Sequence, residues 1–241
     1  MTNYKGFAVV YDELMDAPYE KWGKYISKIL KKEKAKLVLD LGCGTGTMAI
    51  ILSRQGFDMI GVDNSEDMLA AAYEKSFDSN QNILFLKQDM QKLDLFGTVD
   101  AVISVCDCLN YILTPEELGV VFKRVRLFLN PGGVFIFDMN TEYKFKEVMS
   151  NNSFEGESKI GARYEWDNNY NHITKINEYR VQFQNNNDEE PFTEIHNQRA
   201  YSINEVTNIL TKAGFNEIDI FDDYTKKPPK SDSTRITYIV R

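Results

Sequence analysis

Leu37-Val-Leu-Asp-Leu-Gly-Cys-Gly-Thr-Gly46 carries an apolar strand into an acidic residue, Asp40, and then into glycines at 42, 44 and 46. Glycine at every second position strips the Cβ atoms from a strand-to-helix turn, so the backbone can take positive φ and a ligand can lie directly on it. Asp40 narrows the ligand. A pyrophosphate prefers the N–H groups of a helix start and is repelled by a carboxylate, whereas a ligand bearing positive charge tolerates or prefers one. Gly44-Thr-Gly-Thr-Met-Ala49 also fits the Gly-x-Gly-x-x-Gly/Ala dinucleotide fingerprint. At this point an NAD-dependent oxidoreductase is therefore the rival reading, and a tight turn that binds nothing is the bland one.

The segments that follow separate these readings. Phe57–Val62 reads as a second strand ending at Asp63, an acid about 20 residues past the glycines and placed to accept from ribose hydroxyls, which both cofactor classes require. Asn82–Lys87 reads as a third strand running into Gln88-Asp89-Met90. Val99–Val105 is a fourth, followed by Cys106-Asp-Cys-Leu-Asn-Tyr111, and Asn130-Pro-Gly-Gly133 feeds a fifth, Val134–Asp138.

Together these residues resemble class I S-adenosylmethionine (SAM) dependent methyltransferases, whose first motif is acid-x-Gly-x-Gly-x-Gly, matched here at 40, 42, 44 and 46. The likeness extends in detail over residues 37–140. It implies that Asp40, Gly42, Gly44 and Gly46 meet the methionine part of SAM, that Asp63 meets the ribose, and that Asp89 and Met90 meet the adenine, where a dehydrogenase has no such need. Cys106, just past the fourth strand, is assigned to the same cofactor. Phe7-Ala-Val-Val-Tyr-Asp12 resembles the segment that folds over SAM in such enzymes, which makes Tyr11 a cofactor contact.

With 241 residues, 43% of them hydrophobic, the chain is long enough for one α/β core with some length to spare. No apolar stretch approaches the length of a membrane span and no charged-then-apolar leader follows Met1, so the expectation is a soluble, cytoplasmic protein with no membrane partner. The three cysteines, 43, 106 and 108, fall in core or site segments and form no disulfide framework. Cys106-x-Cys108 lacks the further His or Cys needed to complete a metal site, so no metal is expected. A net charge of -8 disfavours a nucleic-acid substrate, because phosphate binding rests on Lys and Arg. Residues 106–111 also lack the Asn/Asp-Pro-Pro-aromatic motif of base methylators.

Strands alternating with helices predict a doubly wound, mostly parallel sheet. Tyr19–Lys32 has helical apolar spacing, Thr47–Gln55 is the first crossover, Ser65 is placed to cap the next helix, and Thr114-Pro-Glu-Glu117 combines a capping box with Pro at N1. Thr141–Met149 reads as a short helix. The pattern then changes: Arg163–Asp167, Ile173–Gln184 and Phe192–Tyr201 read as strands between Asn-rich turns. Residues 141–200 are therefore expected to form an antiparallel β lid inserted in a SAM-binding domain of residues 1–140 and 201–241. Ser202 caps a helix through Ala213, and Asn216–Tyr224 with Arg235–Val240 closes the sheet as an antiparallel hairpin. A dimerisation surface, and hence a homodimer, is the alternative use of the insertion.

Methyl transfer is an in-line displacement that needs alignment more than a strong base. Candidates at the C-terminal ends of the first and fourth strands, where open α/β sheets bind ligands, are Asp107 and Tyr111 for catalysis and Asn110 for the acceptor. Asp107 reads equally as a helix cap and Tyr111 as core. His196 is the better site candidate of the two histidines, His172 falling in a solvated turn, although a lid strand also accommodates a structural His. Arg199 suits a substrate carboxylate or phosphate, or else an acid of the lid. His196-Asn-Gln-Arg-Ala-Tyr201 is similar to small-molecule N-methyltransferases, including those for nucleotide-linked amino sugars and glycine. The expected activity is methyl transfer from SAM to a small polar acceptor, with a non-catalytic SAM-binding protein as the other alternative.

Overall fold

Tyr19–Lys32 (α1) places Trp22, Ile26 and Leu30 four residues apart, and that spacing buries all three against one face of a sheet. The computed structural model that shows this describes residues 11–12, 17–150, 152–157, 163–184 and 192–241. Phe7–Val10 of the segment expected to cover the cofactor lie outside the described residues, as do 158–162 and 185–191 of the insertion.

The strands are β1 (Leu37–Leu41), β2 (Asp58–Asp63), β3 (Leu84–Lys87), β4 (Val99–Ser104), β5 (Leu129–Asn140), β10 (Ile218–Asp222) and β11 (Arg235–Val240), and they form one sheet in the order β10-β11-β5-β4-β1-β2-β3. β1 to β5 run parallel, whereas β11 is antiparallel to β5 and β10 to β11. The order reverses between β1 and β4, so the crossovers leave in opposite directions and open a crevice at the strand ends.

Helices α2 (Thr47–Ser53) and α3 (Glu66–Asp78) join α1 on one face, while α4 (Pro115–Phe128) and α5 (Ile203–Lys212) cover the other. The pleat sends Val38 to the first layer and Leu39 and Leu41 to the second. The caps form as their residue types dictate: Ser65 accepts from Met68 N, Thr114 from Glu117 N, and Ser202 and Glu205 make a reciprocal capping box. β5 starts earlier than expected, because Leu129 already pairs with Val99 before the Pro131-Gly-Gly turn and the register then shifts.

A second sheet lies between β5 and α5. β6 (Ser153–Glu157), β7 (Arg163–Asn171), β8 (Ile176–Gln184) and β9 (Phe192–Arg199) pair antiparallel in that order. β6 was not expected from sequence. The short helix that leads into this sheet is a single π-type turn, Lys144–Val148.

Candidate active site

Gly42 has φ +77 and its N–H donates to Val62 O; a Cβ there would sit 2.0 Å from Cys108 Sγ. Any side chain would therefore push the loop after β4 off the glycine turn. Gly44 faces open space and donates its N–H to Asp63 Oδ2 at 2.8 Å. Gly46 plays a different part from the one expected. It is absent from the cavity wall, and a Cβ on it would lie 3.0 Å from Ala72 Cβ and 3.1 Å from Phe85 Cζ, so it is the helix-to-strand packing glycine.

The crevice holds a cavity of about 670 Å³, within the range of small-ligand sites. Gly42, Gly44, Asp63, Asp89, Met90, Cys106 and Tyr11 are among the residues that line it. Asp63 is fixed by the N–H groups of Gly44 and Ser65, and Asp89 caps a single 3-10 turn, Met90–Lys92, by accepting from Gln91 N. The hydroxyls of Tyr11 and Tyr19 both reach Cys106 Sγ, at 3.9 and 3.6 Å.

Asp40 does not line the cavity. It is fully buried behind the glycine turn, where the backbone N–H of Ala49 approaches its carboxylate without making a full hydrogen bond. Burial, with the charge of Asp63 beside it, pushes its carboxyl up to about 7. Burial also raises Asp63. Two acids under one turn, neither paired with a cation among the described residues, fit a ligand that brings positive charge.

At the centre of the site Cys106 and Asp107 both have positive φ, +61 and +53, a strained geometry for residues other than glycine. Asp138, at the end of β5, explains it. Its carboxylate accepts the N–H of Cys106 at 2.8 Å and of Asp107 at 3.0 Å, and also binds the Tyr224 hydroxyl and the Arg235 guanidinium. Arg235 donates its other arm to Asp107 Oδ1 at 2.8 Å and lies 4.9 Å over the Trp22 ring. Burial works against this guanidinium's charge, but Asp138 and Asp107 outweigh it and hold the group charged. Gln198 Nε2 takes the other oxygen of Asp107 at 2.7 Å. Asp107 was expected as a catalytic residue or as a cap. Its side chain makes no cap and is engaged on both oxygens, so it serves as a tie between β11, β9 and the loop after β4.

One wall of the cavity comes from β7, β8 and β9 through Trp166, Tyr179, Ile195, Asn197 and Gln198, and Met68 and Tyr11 belong to the same hydrophobic cluster as Tyr179 and Trp166. Trp166 stacks on Tyr179 at 5.0 Å, and Tyr179 stacks on His196 at 4.9 Å. Tyr111 also lines the cavity and meets the Tyr179 hydroxyl and, at 3.5 Å, His196 Nδ1. His196 itself is fully buried behind this wall, its Nε2 3.0 Å from Glu194 Oε2.

Two expected acceptor contacts are corrected. Asn110 is fully buried and its amide is consumed by backbone: Nδ2 donates to Asn140 O and Arg199 O, while Oδ1 accepts from Asn140 N. Arg199 points away from the cavity, donating to Leu113 O and Glu205 Oε1 and lying over Tyr201. Both clasp β9 to the body. Sequence reading missed Asp138, Arg235, Gln198 and Lys144, all of which build or line the site. The available signal was a charge at the very end of an apolar strand, in Phe-Ile-Phe-Asp138 and Arg235-Ile-Thr-Tyr.

The fold and this crevice are those of a nucleotide-cofactor enzyme, and comparison with known proteins gives the class. Residues 38–133 match the methyltransferase domain family. The Bacillus subtilis (strain 168) protein YqeM, whose methyltransferase name is itself provisional, is 37% identical over 98% of this chain and 95% of its own. A SAM-dependent methyltransferase from Clostridium acetobutylicum superposes with a TM-score of 0.88 at 30% identity, covering 99% of this chain and 98% of that one. A glycine/sarcosine N-methyltransferase of Halorhodospira halochloris is 29% identical over 55% of this chain and 51% of its own. The chain belongs to the SAM-dependent methyltransferases, and SAM is its cofactor.

Proposed function

We propose that the protein moves the methyl group of SAM to a nitrogen of a small polar molecule held between the glycine turn and the four-stranded sheet. The observation that carries this reading is the continuity of the cavity from Gly44 and Asp63 to the Trp166 and Tyr179 wall. Nitrogen is favoured by the glycine/sarcosine N-methyltransferase among the relatives. The β sheet acts as the lid that selects the acceptor.

When bound, SAM supplies an electrophilic methyl group. Gly42 and Gly44 receive its methionine part, Asp63 its ribose, and Asp89 with Met90 its adenine, while the buried charge of Asp40 favours its cationic groups from behind the turn. The aromatic wall excludes water and restricts the acceptor's orientation. Tyr111, a cavity phenol with His196 and Glu194 behind it, orients the acceptor nitrogen by accepting a hydrogen bond from its N–H. His196 is then a positioning residue. The unpaired thiols of Cys43, Cys106 and Cys108 suit a reducing compartment, and we assign the protein to the cytoplasm. None of the described helices is long and apolar enough to cross a membrane.

Incubation with methyl-labelled SAM and a panel of amines, hydroxy compounds and size-fractionated metabolites tests this reading. Label on an amine of low molecular mass supports it. Label found only on oxygen, or only on macromolecules, overturns it.

A further inference from the structure

Lys75, in the last turn of α3, spends all three of its ammonium hydrogens at one place. Its Nζ donates to Asp12 Oδ2 at 2.6 Å, to Thr45 Oγ1 at 2.9 Å and to Thr47 Oγ1 at 2.6 Å, and an ammonium has no fourth hydrogen to give. The two hydroxyls donate in turn to Asp12 Oδ1, at 2.7 and 3.3 Å. Thr45 stands inside the glycine turn, between Gly44 and Gly46, and Thr47 opens α2. Both threonines line the cavity. Among the described residues Lys75 is the one cation that pairs with Asp12.

Tyr11, the preceding residue, reaches in another direction. It packs with the cluster of Met68, Tyr179 and Trp166, its hydroxyl meets Cys106 Sγ at 3.9 Å, and it lines the same cavity as the glycine turn. Tyr11 and Asp12 therefore link the turn and α3 on one side to the loop after β4 and the second sheet on the other. The charged tie on the turn side is the Lys75 pair, whose two side chains are 32% and 40% exposed. A pair so open to water is weak by itself and is screened by salt. Here two hydroxyls fix its geometry.

We propose that Lys75 is a positioning residue for the cofactor: through Asp12 it holds Tyr11 against the cavity and so slows release of the cofactor from the glycine turn. Neither Lys75 nor Asp12 lines the cavity, so the effect runs through Tyr11, Thr45 and Thr47. This rests on the siting of the cofactor at Gly42 and Gly44 given above, and it adds a determinant of residence time. A cation in the last turn of a helix also suits the helix dipole. That role alone would stabilise α3 and leave release of the cofactor unchanged.

The probe is S-adenosylhomocysteine, with its association and dissociation rates read by surface plasmon resonance on the full chain. Wild type, Lys75→Met, Lys75→Arg, Asp12→Asn and the Lys75→Met, Asp12→Asn double variant are compared. Lys75→Met is expected to speed dissociation by at least about threefold, with association unchanged within about twofold. Asp12→Asn should do the same and the double variant no more, since both remove one interaction. Lys75→Arg should restore slow release by pairing with Asp12. Raising NaCl from about 0.05 M to about 0.5 M should speed release from wild type and leave release from Lys75→Met unmoved. Dissociation from Lys75→Met less than about threefold faster than from wild type overturns the proposal, and a lowered melting temperature beside it would make Lys75 a tie for the helix alone. Should a variant fail to fold, the salt dependence of wild type decides. Wild type that binds no S-adenosylhomocysteine overturns the siting of the cofactor together with this inference, whereas binding with salt-independent release overturns the inference alone.

Discussion

Asp40 was expected on the methionine part of the cofactor, and the structure buries it beneath the turn, outside the cavity lining. Its acid character beside three glycines was legible because the motif is local. That the carboxylate lies behind the turn, not on the cavity, follows from the pleat, which sends it with Val38 toward α2. Its folded pKa of about 7 against an ordinary 3.8 means that the folded state holds a proton more tightly than the unfolded chain. Stability is then fully present below pH 4 and is lost as pH rises toward 7. Asp40→Asn removes that loss. The variant should gain on wild type by on the order of 2–4 kcal/mol between pH 4 and pH 8, measured by urea unfolding without cofactor. A difference that does not change with pH would contradict the buried-acid account. Arg235 makes the opposite case. Its two acids lie 97 and 128 residues away in sequence, so no local pattern reveals the cluster. Arg235→Met strands both carboxylates, and the expected loss is about 3–5 kcal/mol in the same unfolding measurement; a loss under about 1 kcal/mol would show the cluster to be solvated. Asn110 and Arg199 fail as acceptor contacts for a related reason: polarity is visible in sequence, but the backbone groups that consume it are not.

At the scale of elements, legibility followed local chemistry. The helices that start at Ser65, Thr114 and Ser202 could be placed because a cap is decided within four residues. β6 could not: Ser153-Phe-Glu-Gly-Glu157 has weak strand propensity and is a strand because β7 pairs with it. The first strands of the core were readable from apolar runs, whereas the early start of β5 depends on Val99 across the sheet. The second sheet was expected as an inserted unit. Replacing residues 150–199 by a short linker should leave SAM affinity within about threefold, because the residues proposed to hold SAM lie in the loops after β1 to β4, and should abolish methyl transfer. Loss of SAM binding in a folded protein would assign the sheet to the cofactor site. A change from dimer to monomer on gel filtration, with transfer retained, would make it an interface.

The whole molecule divides one cavity between two sheets. The parallel sheet supplies backbone N–H groups, a buried pair of acids and a rigid turn, and the antiparallel sheet supplies aromatic and amide side chains to the cavity wall. The Asp138 and Arg235 cluster joins them, because Gln198 of β9 reaches the same Asp107 that Arg235 of β11 holds. This division was half visible in sequence. The parallel part announces itself through the glycine turn and Asp63, while the meeting of the two sheets rests on contacts between residues some 90 or more apart. Titration calorimetry with SAM, S-adenosylhomocysteine and NAD, on wild type and Asp63→Ala, tests the central claim most directly. The account predicts one SAM and one S-adenosylhomocysteine per chain, no NAD, and a weakening of about 1.5–3 kcal/mol in Asp63→Ala from the lost hydrogen bonds to a charged group. NAD binding without SAM binding, or an Asp63→Ala affinity equal to wild type, would contradict it.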